Sequence, residues 1–306
     1  MRYSSLVTPD PPSERLANPL ERFTSGGWAM GVLRLALGLA VLGVVVRFVA
    51  RDAVTLILKR GVTSTLLLGV PVYLAQRAGR IEKWRRMIEH SGLVARRFTF
   101  LMRVQLIGMV ANLIVPVSEA LKIWAVSRDR RDVLPAGESV LLDGMLHSAM
   151  VGVLGLFGTV VLASSSVALR TAAVATTLIP LALIAALQWR GRSRRTIHVG
   201  DARVLGWCAL ETTCQVFIYA IAFRAIGVRI GVPEVLALSP LLFLADAVML
   251  TPSGLGLREA LFAVVLRTLS SAPADASVAA ALLITCILLT ATAAGGLLAL
   301  LVPRHP

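Results

Sequence analysis

The fold is decided by an uninterrupted apolar run, SVLLDGMLHSAMVGVLGLFGTVVL, which extends from Ser139 to Leu162. It is longer than the stretch of about 20 residues that an α-helix needs to cross a hydrocarbon core about 30 Å thick. Its titratable side chains are those of Asp143 and His147. The run therefore predicts a helix that crosses a membrane and carries two ionisable groups within it.

Further apolar runs come close to the same length. They cover approximately Trp28–Phe48, Val62–Ala78, Thr171–Trp189, Val204–Ile226 and Ser277–Val302. The composition agrees, since 57% of the residues are hydrophobic and 16% are charged, whereas soluble domains carry about 25% charged residues. The sequence predicts an all-α, polytopic integral membrane protein with about six full spans.

Two other apolar segments are interrupted and then resume, at about 98–126 and 235–266. The interruptions comprise Asn112 and Pro116 in the first segment and Pro252, Gly254 and Gly256 in the second. Such breaks free backbone groups that hydrocarbon cannot satisfy, so they are tolerated where protein or a water-filled cavity covers them. Each segment therefore predicts a broken, re-entrant hairpin.

The order span, span, hairpin, span occurs twice, in halves at about 28–165 and 170–302. Three full crossings in each half would invert the second half relative to the first, which is the inverted repeat found in many transporters. We expect a polar cytoplasmic tail over residues 1–27 and a single transmembrane domain over residues 28–306.

The net charge of +14, from 31 basic and 17 acidic residues, indicates topology. Basic residues concentrate at about 77–97, 128–131 and 190–203. The positive-inside rule places these loops, and both termini, in the cytoplasm of a cell (plasma or inner) membrane protein. The first of them, which contains Trp84, predicts an amphipathic helix on the membrane surface. No nucleic-acid-binding motif accompanies the charge, so we expect no nucleic-acid partner.

Charged side chains inside apolar segments cost about 2.5 to 3.5 kcal/mol each and usually mark functional sites. The candidates for substrate binding are Glu119, Lys122, Asp143, Glu211, Asp246, Arg258 and Glu259. Arg258 follows the second break near a predicted helix start, where free N–H groups and a guanidinium suit a phosphate. The alternative is a structural ion pair between Arg258 and Glu259.

Other pairs are also open to two interpretations. Glu119 and Lys122 share a helix face and either neutralise each other or contact a headgroup. His147, four residues after Asp143, is either a packed histidine or part of a proton relay. The histidines and cysteines lack ligand spacing, so we expect no metal and no cofactor. No nucleophile–base pattern is present, and we therefore expect no enzyme activity.

The run TPSGLGLRE, from Thr251 to Glu259, resembles the signature of the lysylphosphatidylglycerol synthase transmembrane region, a family of flippase-like membrane proteins. Asn112, Pro116, Glu119, Lys122 and Asp143 resemble its first-half motif in order and spacing. The likeness covers about 28–302. It implies movement of a lipid between leaflets, such as an aminoacylated phosphatidylglycerol or a polyprenyl-phosphate-linked sugar.

This sequence departs from the family pattern at three positions. Ser118 and Ser253 stand where glycine is frequent, and Lys122 stands where arginine is frequent. The soluble aminoacyl-transferring domain of long family members is not part of the sequence, so we expect no lysyl transfer by this chain alone.

The sequence as a whole predicts a lipid flippase or translocator. Arg258 and Lys122 would contact the phosphate, and the carboxylates at positions 119, 143, 211, 246 and 259 would control hydration and gating. The alternative is a non-transporting accessory membrane protein of a lipid- or glycan-modifying enzyme. Membrane lipids are the expected partners, and a homo-oligomer or a complex with a lipid-modifying enzyme is left open.

Overall fold

The computed structural model describes residues 57, 62–89, 91, 93, 96–112, 117–162, 166–191, 200–228, 230–247, 260–262, 264–266 and 273–301, except for the side chains of residues 190, 245–247, 274 and 275. The helices with full bounds are α1 (Val62–Ile88), α2 (Phe98–Ala111), α3 (Ser118–Val126), α4 (Val133–Val161), α5 (Val167–Gly191), α6 (Ala202–Ile226), α7 (Val232–Ala247) and α8 (Ala274–Leu301). A 3₁₀ turn at Arg130–Asp132 precedes α4. No strand occurs in these ranges, which confirms the all-α class.

Four stretches are long and apolar enough to cross a membrane. They are Arg130–Val161, Val167–Trp189, Ala202–Ile226 and Ala276–Leu301, and each contains one of the predicted spans almost completely. Large apolar side chains remain exposed on them, including Val160, Leu178 and Leu300, as expected of a surface that faces lipid. The polytopic membrane class is confirmed. The predicted span Trp28–Phe48 lies outside the described residues.

Helix α1 differs from its prediction. It continues from the apolar run through the basic stretch to Ile88, and the side chains of Lys83 and Trp84 are almost completely buried. The indole Nε1–H of Trp84 donates a hydrogen bond to the hydroxyl of Ser139 on α4 at 3.0 Å. The prediction of a surface amphipathic helix here is wrong, because this part of α1 packs inside the bundle.

In the first interrupted segment the end of α2 lies beside the start of α3. A methyl group placed on Gly108 would lie 3.1 Å from the Cα of Ser118, although ten residues of continuous helix would separate them by about 15 Å. The side-chain carbonyl of Asn112 accepts a hydrogen bond from the backbone N–H of Ser118 at 2.9 Å. Asn112 therefore ties the end of α2 to the start of α3. Pro116 lies outside the described residues.

The second interrupted segment is described on both sides of its break. Helix α7 ends at Ala247, and helical residues are described again at 260–262 and 264–266. Phe262 packs edge-on against Tyr219 of α6, with ring centroids 5.8 Å apart. The predicted break residues Pro252, Gly254 and Gly256 lie outside the described residues.

Glycines on one face of α4 allow two helices to approach closely. Gly152 contacts Thr177 of α5, and Gly155 contacts Pro240 of α7. A methyl group on Gly158 would lie 2.5 Å from the backbone nitrogen of Ala237. Small residues of this kind are typical of membrane helix interfaces, where backbones pack against each other.

The helix directions place the basic stretches at one end of the bundle. Lys83 near the end of α1 contacts Asp143 of α4 and Glu211 of α6, whereas the earlier α1 residue Tyr73 shares a pocket with the later α6 residue Tyr219. Helix α1 thus runs antiparallel to α6. The end of α1 and the starts of α4 and α6 form what we call the basic end, which carries Arg85, Arg86, Arg130, Arg131 and Arg203.

Helices of each predicted half pack against helices of the other half. Helix α7 packs on α4, α2 packs on α8, and α1 packs on α6. The contacts of α7 with α4 and of α2 with α8 are those expected if each half places its interrupted segment against the last span of the other half. The repeat boundaries themselves stay a prediction.

Candidate functional site

Four of the residues predicted from the sequence meet at one place. Glu119 and Lys122 come from α3, Asp143 from α4 and Glu211 from α6. They meet around two basic residues of α1, and we call the six side chains the charge cluster. Its members are Arg80, Lys83, Glu119, Lys122, Asp143 and Glu211.

The inner part of the charge cluster is closed to solvent. The Nζ of Lys83 lies 2.6 Å from Oε2 of Glu211 and 2.9 Å from Oδ1 of Asp143. It also donates a hydrogen bond to the backbone carbonyl of Asp143 at 3.2 Å. The exposed fractions of these three side chains are 0%, 1% and 3% for Lys83, Asp143 and Glu211. One ammonium group therefore serves two buried carboxylates.

The outer part of the charge cluster is open. Arg80 donates from Nε to Asp143 at 2.9 Å, and its Nη2 lies 3.4 Å from Glu119. The Nζ of Lys122 lies 3.1 Å from the Oε2 of Glu119. The Glu119 side chain is 49% exposed, whereas that of Lys122 is 1% exposed. Arg80 thus connects the buried inner part of the cluster, through Asp143, to the accessible carboxylate of Glu119.

Helical spacing explains why these residues converge. Arg80 and Lys83 are three residues apart on α1, and so are Glu119 and Lys122 on α3, so each pair lies on one helix face. Three cations and three carboxylates give the charge cluster no formal net charge. This balance matters because an unpaired charge in a buried site is strongly destabilising.

A chain of hydrogen bonds leads away from the charge cluster. His147 lies 3.5 Å from Glu211, measured from Nδ1 to Oε1, and its Nε2 lies 2.7 Å from the side-chain oxygen of Gln215. Gln215 in turn donates from Nε2 to the hydroxyl of Tyr219 at 2.8 Å. Phe243 of α7 packs edge-on against the imidazole with ring centroids 5.4 Å apart. His147 is both packed and hydrogen-bonded.

One group of side chains has the composition of a metal site. Ligand atoms of His147, Cys208 and Glu211 lie within 4.8 Å of one another. However, the ammonium of Lys83 already contacts Glu211 at 2.6 Å, and Gln215 already contacts the imidazole Nε2. A cation would have to compete with that ammonium, so the arrangement favours an ion pair. The expectation of no metal stays a prediction.

Comparison with known protein families gives a match over residues 31–296 to the model of the lysylphosphatidylglycerol synthase TM region. The match spans nearly the whole chain, from the first predicted membrane span into α8. The chain belongs to this family. The resemblance seen in its sequence motifs is thereby confirmed. A comparison with curated proteins finds none that matches the chain.

Several predicted site residues of this family member cannot be placed. Arg258 and Glu259 lie outside the described residues, and the side chain of Asp246 near the end of α7 does so as well. Their roles stay predictions. Glu119, Lys122, Asp143 and Glu211 are the predicted residues that the structure brings together.

Sequence reasoning missed Arg80 and Lys83, which the structure places at the centre of the charge cluster. Both were assigned to a cytoplasmic loop because the apolar run ends near Ala78. The sequence contained a signal for them, because Tyr73, Gln76, Arg80 and Lys83 are spaced three or four residues apart. That spacing predicts one continuous helix face on which Arg80 and Lys83 lie. The partners on α4 and α6 are distant in sequence and could not be inferred from that spacing.

Proposed function

We propose that this protein moves a phosphate-bearing lipid between the two leaflets of a membrane, without catalysing a chemical reaction. The lipid would be of the aminoacyl-phosphatidylglycerol or polyprenyl-phosphate-linked sugar type. The family assignment supports a lipid-related role in the membrane. The observation that carries the proposal is the charge cluster, which is open at one end and takes Asp143 and Glu211 from α4 and α6, two helices apolar enough to cross a membrane.

A polar headgroup cannot cross hydrocarbon without protein groups that replace its water, and buried ionisable groups at membrane depth are a usual sign of such a path. The charge cluster offers two cations, Arg80 and Lys122, next to the accessible Glu119. A guanidinium and an ammonium are the side-chain groups that bind phosphate most strongly. The open end of the cluster therefore suits a phosphate.

Glu119 is the group that a phosphate would replace. Its contacts to Arg80 and Lys122 are 3.4 and 3.1 Å long, and half of its side chain is exposed. The contact with the partly exposed Arg80 is the weaker of the two, since ion pairs open to solvent contribute only about 0 to 1 kcal/mol. The inner contacts of Lys83 are shorter and fully buried, so they would stay intact while Glu119 swings away and the phosphate takes its place.

The orientation follows from the same proposal. The basic end would face the cytoplasm, because cytoplasmic ends of membrane proteins carry an excess of lysine and arginine. The protein would then lie in the plasma or inner membrane with both termini in the cytoplasm, and the first interrupted segment would enter from that side.

Reconstitution into liposomes that contain a fluorescent phosphatidylglycerol tests the proposal. Dithionite destroys the fluorophore in the outer leaflet, so transport appears as loss of the protected inner-leaflet signal. We expect the wild-type protein to accelerate this loss. Glu119→Gln removes the competing carboxylate and should strengthen lipid binding by up to about fivefold, equivalent to about 1 kcal/mol.

Glu138→Gln is the matched control, since Glu138 is exposed at the start of α4 and does not belong to the charge cluster. It should behave as the wild type does. If folded wild-type protein moves no lipid, the transport proposal is wrong and the accessory role is favoured. The buried Trp84 would not supply the partner-binding surface in that case.

A further inference from the structure

A second polar site lies beside the charge cluster, nearer to the start of α1. It is a pocket between α1, α6, α8 and the helical residues around Phe262. Its polar lining consists of Tyr73, Gln76, Arg77, Gln215 and Tyr219. Its apolar lining consists of Ile218, Phe262, Ile284 and Leu288. The pocket therefore has one polar wall and one apolar wall.

Arg77 supplies a positive charge to this pocket that no carboxylate of the described residues neutralises. Its Nη2 donates to the hydroxyl of Tyr73, and its guanidinium carbon lies 4.5 Å from the centre of the Tyr73 ring. Its Nε is buried and has no hydrogen-bond partner in the described part of the chain. A buried donor without an acceptor costs about 1 to 3 kcal/mol, so an oxyanion would relieve that cost.

Gln76 provides a second donor without a partner. Its side chain lines the pocket and is 6% exposed, and the described residues offer its amide no hydrogen bond. Tyr73, Gln76 and Arg77 lie on one face of α1 because they are spaced three and four residues apart. The tyrosine fixes the guanidinium in place, and the amide and Nε remain available to a ligand.

We propose that this pocket binds the phosphate of an anionic lipid through Arg77 and Gln76, with the apolar part of the lipid outside it, beyond Ile284 and Leu288. The proposal rests on the proposed function, because it gives the transported lipid a binding position separate from the charge cluster. A planar guanidinium recognises phosphate oxygens with more than one hydrogen bond. Apolar residues in the same lining favour an amphiphile over a free anion.

Gln215 connects this pocket to the charge cluster. Its amide contacts Tyr219 at the pocket and His147 at the other end, and His147 lies 3.5 Å from Glu211. Hydrogen bonds therefore link the two sites, and Arg80 lies about one helical turn after Arg77 on α1. The two sites would act in sequence on one headgroup.

Native mass spectrometry of the full chain in detergent tests the assignment with three probes. They are dihexanoyl-phosphatidylglycerol, the uncharged dihexanoylglycerol and inorganic phosphate. We expect the phospholipid to bind most tightly. Native spectra resolve successive bound phospholipids, and Arg77→Gln should weaken one of these binding steps by about tenfold or more, because hydrogen bonds to a charged group are worth about 1.5 to 3 kcal/mol. Arg77→Lys should retain part of the affinity.

Two further variants make the result specific. Arg224→Gln changes an exposed arginine on α6, outside the pocket, and should bind as the wild type does. Gln76→Glu is nearly isosteric and places a carboxylate beside Arg77. It should remove the lipid bound in this pocket and leave binding at the charge cluster, so one fewer phospholipid is retained, while thermal unfolding stays close to that of the wild type.

Unchanged binding in both Arg77→Gln and Gln76→Glu would overturn the assignment. Equal binding of dihexanoylglycerol would exclude a role for the phosphate, and equal binding of inorganic phosphate would exclude a lipid ligand. The proposed function fails separately: lipid that binds through Arg77 but does not cross liposomes overturns transport and leaves this site standing. If the wild-type protein transports lipid and Arg77→Gln still binds it as tightly as the wild type does, the site alone is overturned.

Discussion

Lys83→Met is the perturbation that tests the charge cluster most sharply for stability. Lys83 is fully buried and contacts two carboxylates, Asp143 and Glu211, that are 1% and 3% exposed. After the substitution Arg80 would be the nearest cation to both, at 2.9 Å from Asp143 and 4.0 Å from Glu211. One negative charge would then be uncompensated, and removing one partner from a buried ion pair costs about 3 to 5 kcal/mol.

The double variant Lys83→Met/Glu211→Met removes one charge of each sign and leaves the Arg80–Asp143 pair. Replacing a buried ion pair by apolar side chains is often close to neutral. We therefore expect the double variant to be more stable than Lys83→Met, with a coupling energy of about 2 kcal/mol. Unfolding free energies can be measured in detergent micelles by denaturant titration with helix content as the signal.

Arg86→Gln is the control for this cycle, because Arg86 lies on the same helix, is 27% exposed and pairs with Glu82 and Glu89. It should cost less than about 1 kcal/mol. Strictly additive effects of Lys83→Met and Glu211→Met would refute the reasoning, since they would show that the ammonium and the carboxylate do not depend on each other.

Two packing predictions can be checked with the same titration. Gly158→Val places a side chain against the backbone of Ala237 at 2.5 Å and should destabilise the protein by about 2 kcal/mol or more. The control Gly144→Ala meets nothing within 4 Å and should change stability little. Equal effects of the two substitutions would contradict the close α4–α7 packing. Trp84→Phe removes the hydrogen bond to Ser139 and leaves that hydroxyl with its bond to the α4 backbone. We expect the unfolding free energy to fall by about 1 kcal/mol. An unchanged unfolding free energy would show that the indole N–H contributes nothing.

The membrane class could be predicted because long apolar runs have few alternatives. The predicted span Thr171–Trp189 lies within α5 and is a few residues shorter at each end, and the predicted span Val204–Ile226 ends at the same residue as α6 and begins two residues later. Hydropathy failed where α1 changes from an apolar to a basic sequence. A window of sequence cannot show that Lys83 finds two carboxylates from other helices, because that depends on how α1 packs.

Proline does not by itself mark a break in the described helices. Pro71, Pro180 and Pro240 all lie inside continuous helices, although proline removes one backbone hydrogen bond and commonly kinks a helix. In a packed bundle neighbouring groups compensate for that loss. The turn after α2 is marked better by Asn112, whose side chain accepts a hydrogen bond from the N–H of Ser118.

Acidic residues in apolar runs were the most informative signal for the candidate site. Asp143 and Glu211 were selected because a buried carboxylate must find a partner, and the structure gives both the same partner, Lys83. The identity of that partner was not predictable, since 60 and 128 residues separate Lys83 from Asp143 and Glu211. The connection through His147 and Gln215 to the pocket at Arg77 likewise required the tertiary structure.

The central claim is that the charge cluster carries a lipid headgroup and is not merely structural. The most direct measurement is lipid translocation in liposomes by the double variant Glu119→Gln/Lys122→Met, compared with the wild type at equal amounts of folded protein. The account predicts that this variant folds, because it loses one charge of each sign, but loses most of its translocation, because Lys122 is one of the two cations that would contact the phosphate. Translocation at the wild-type rate by this variant would contradict the account.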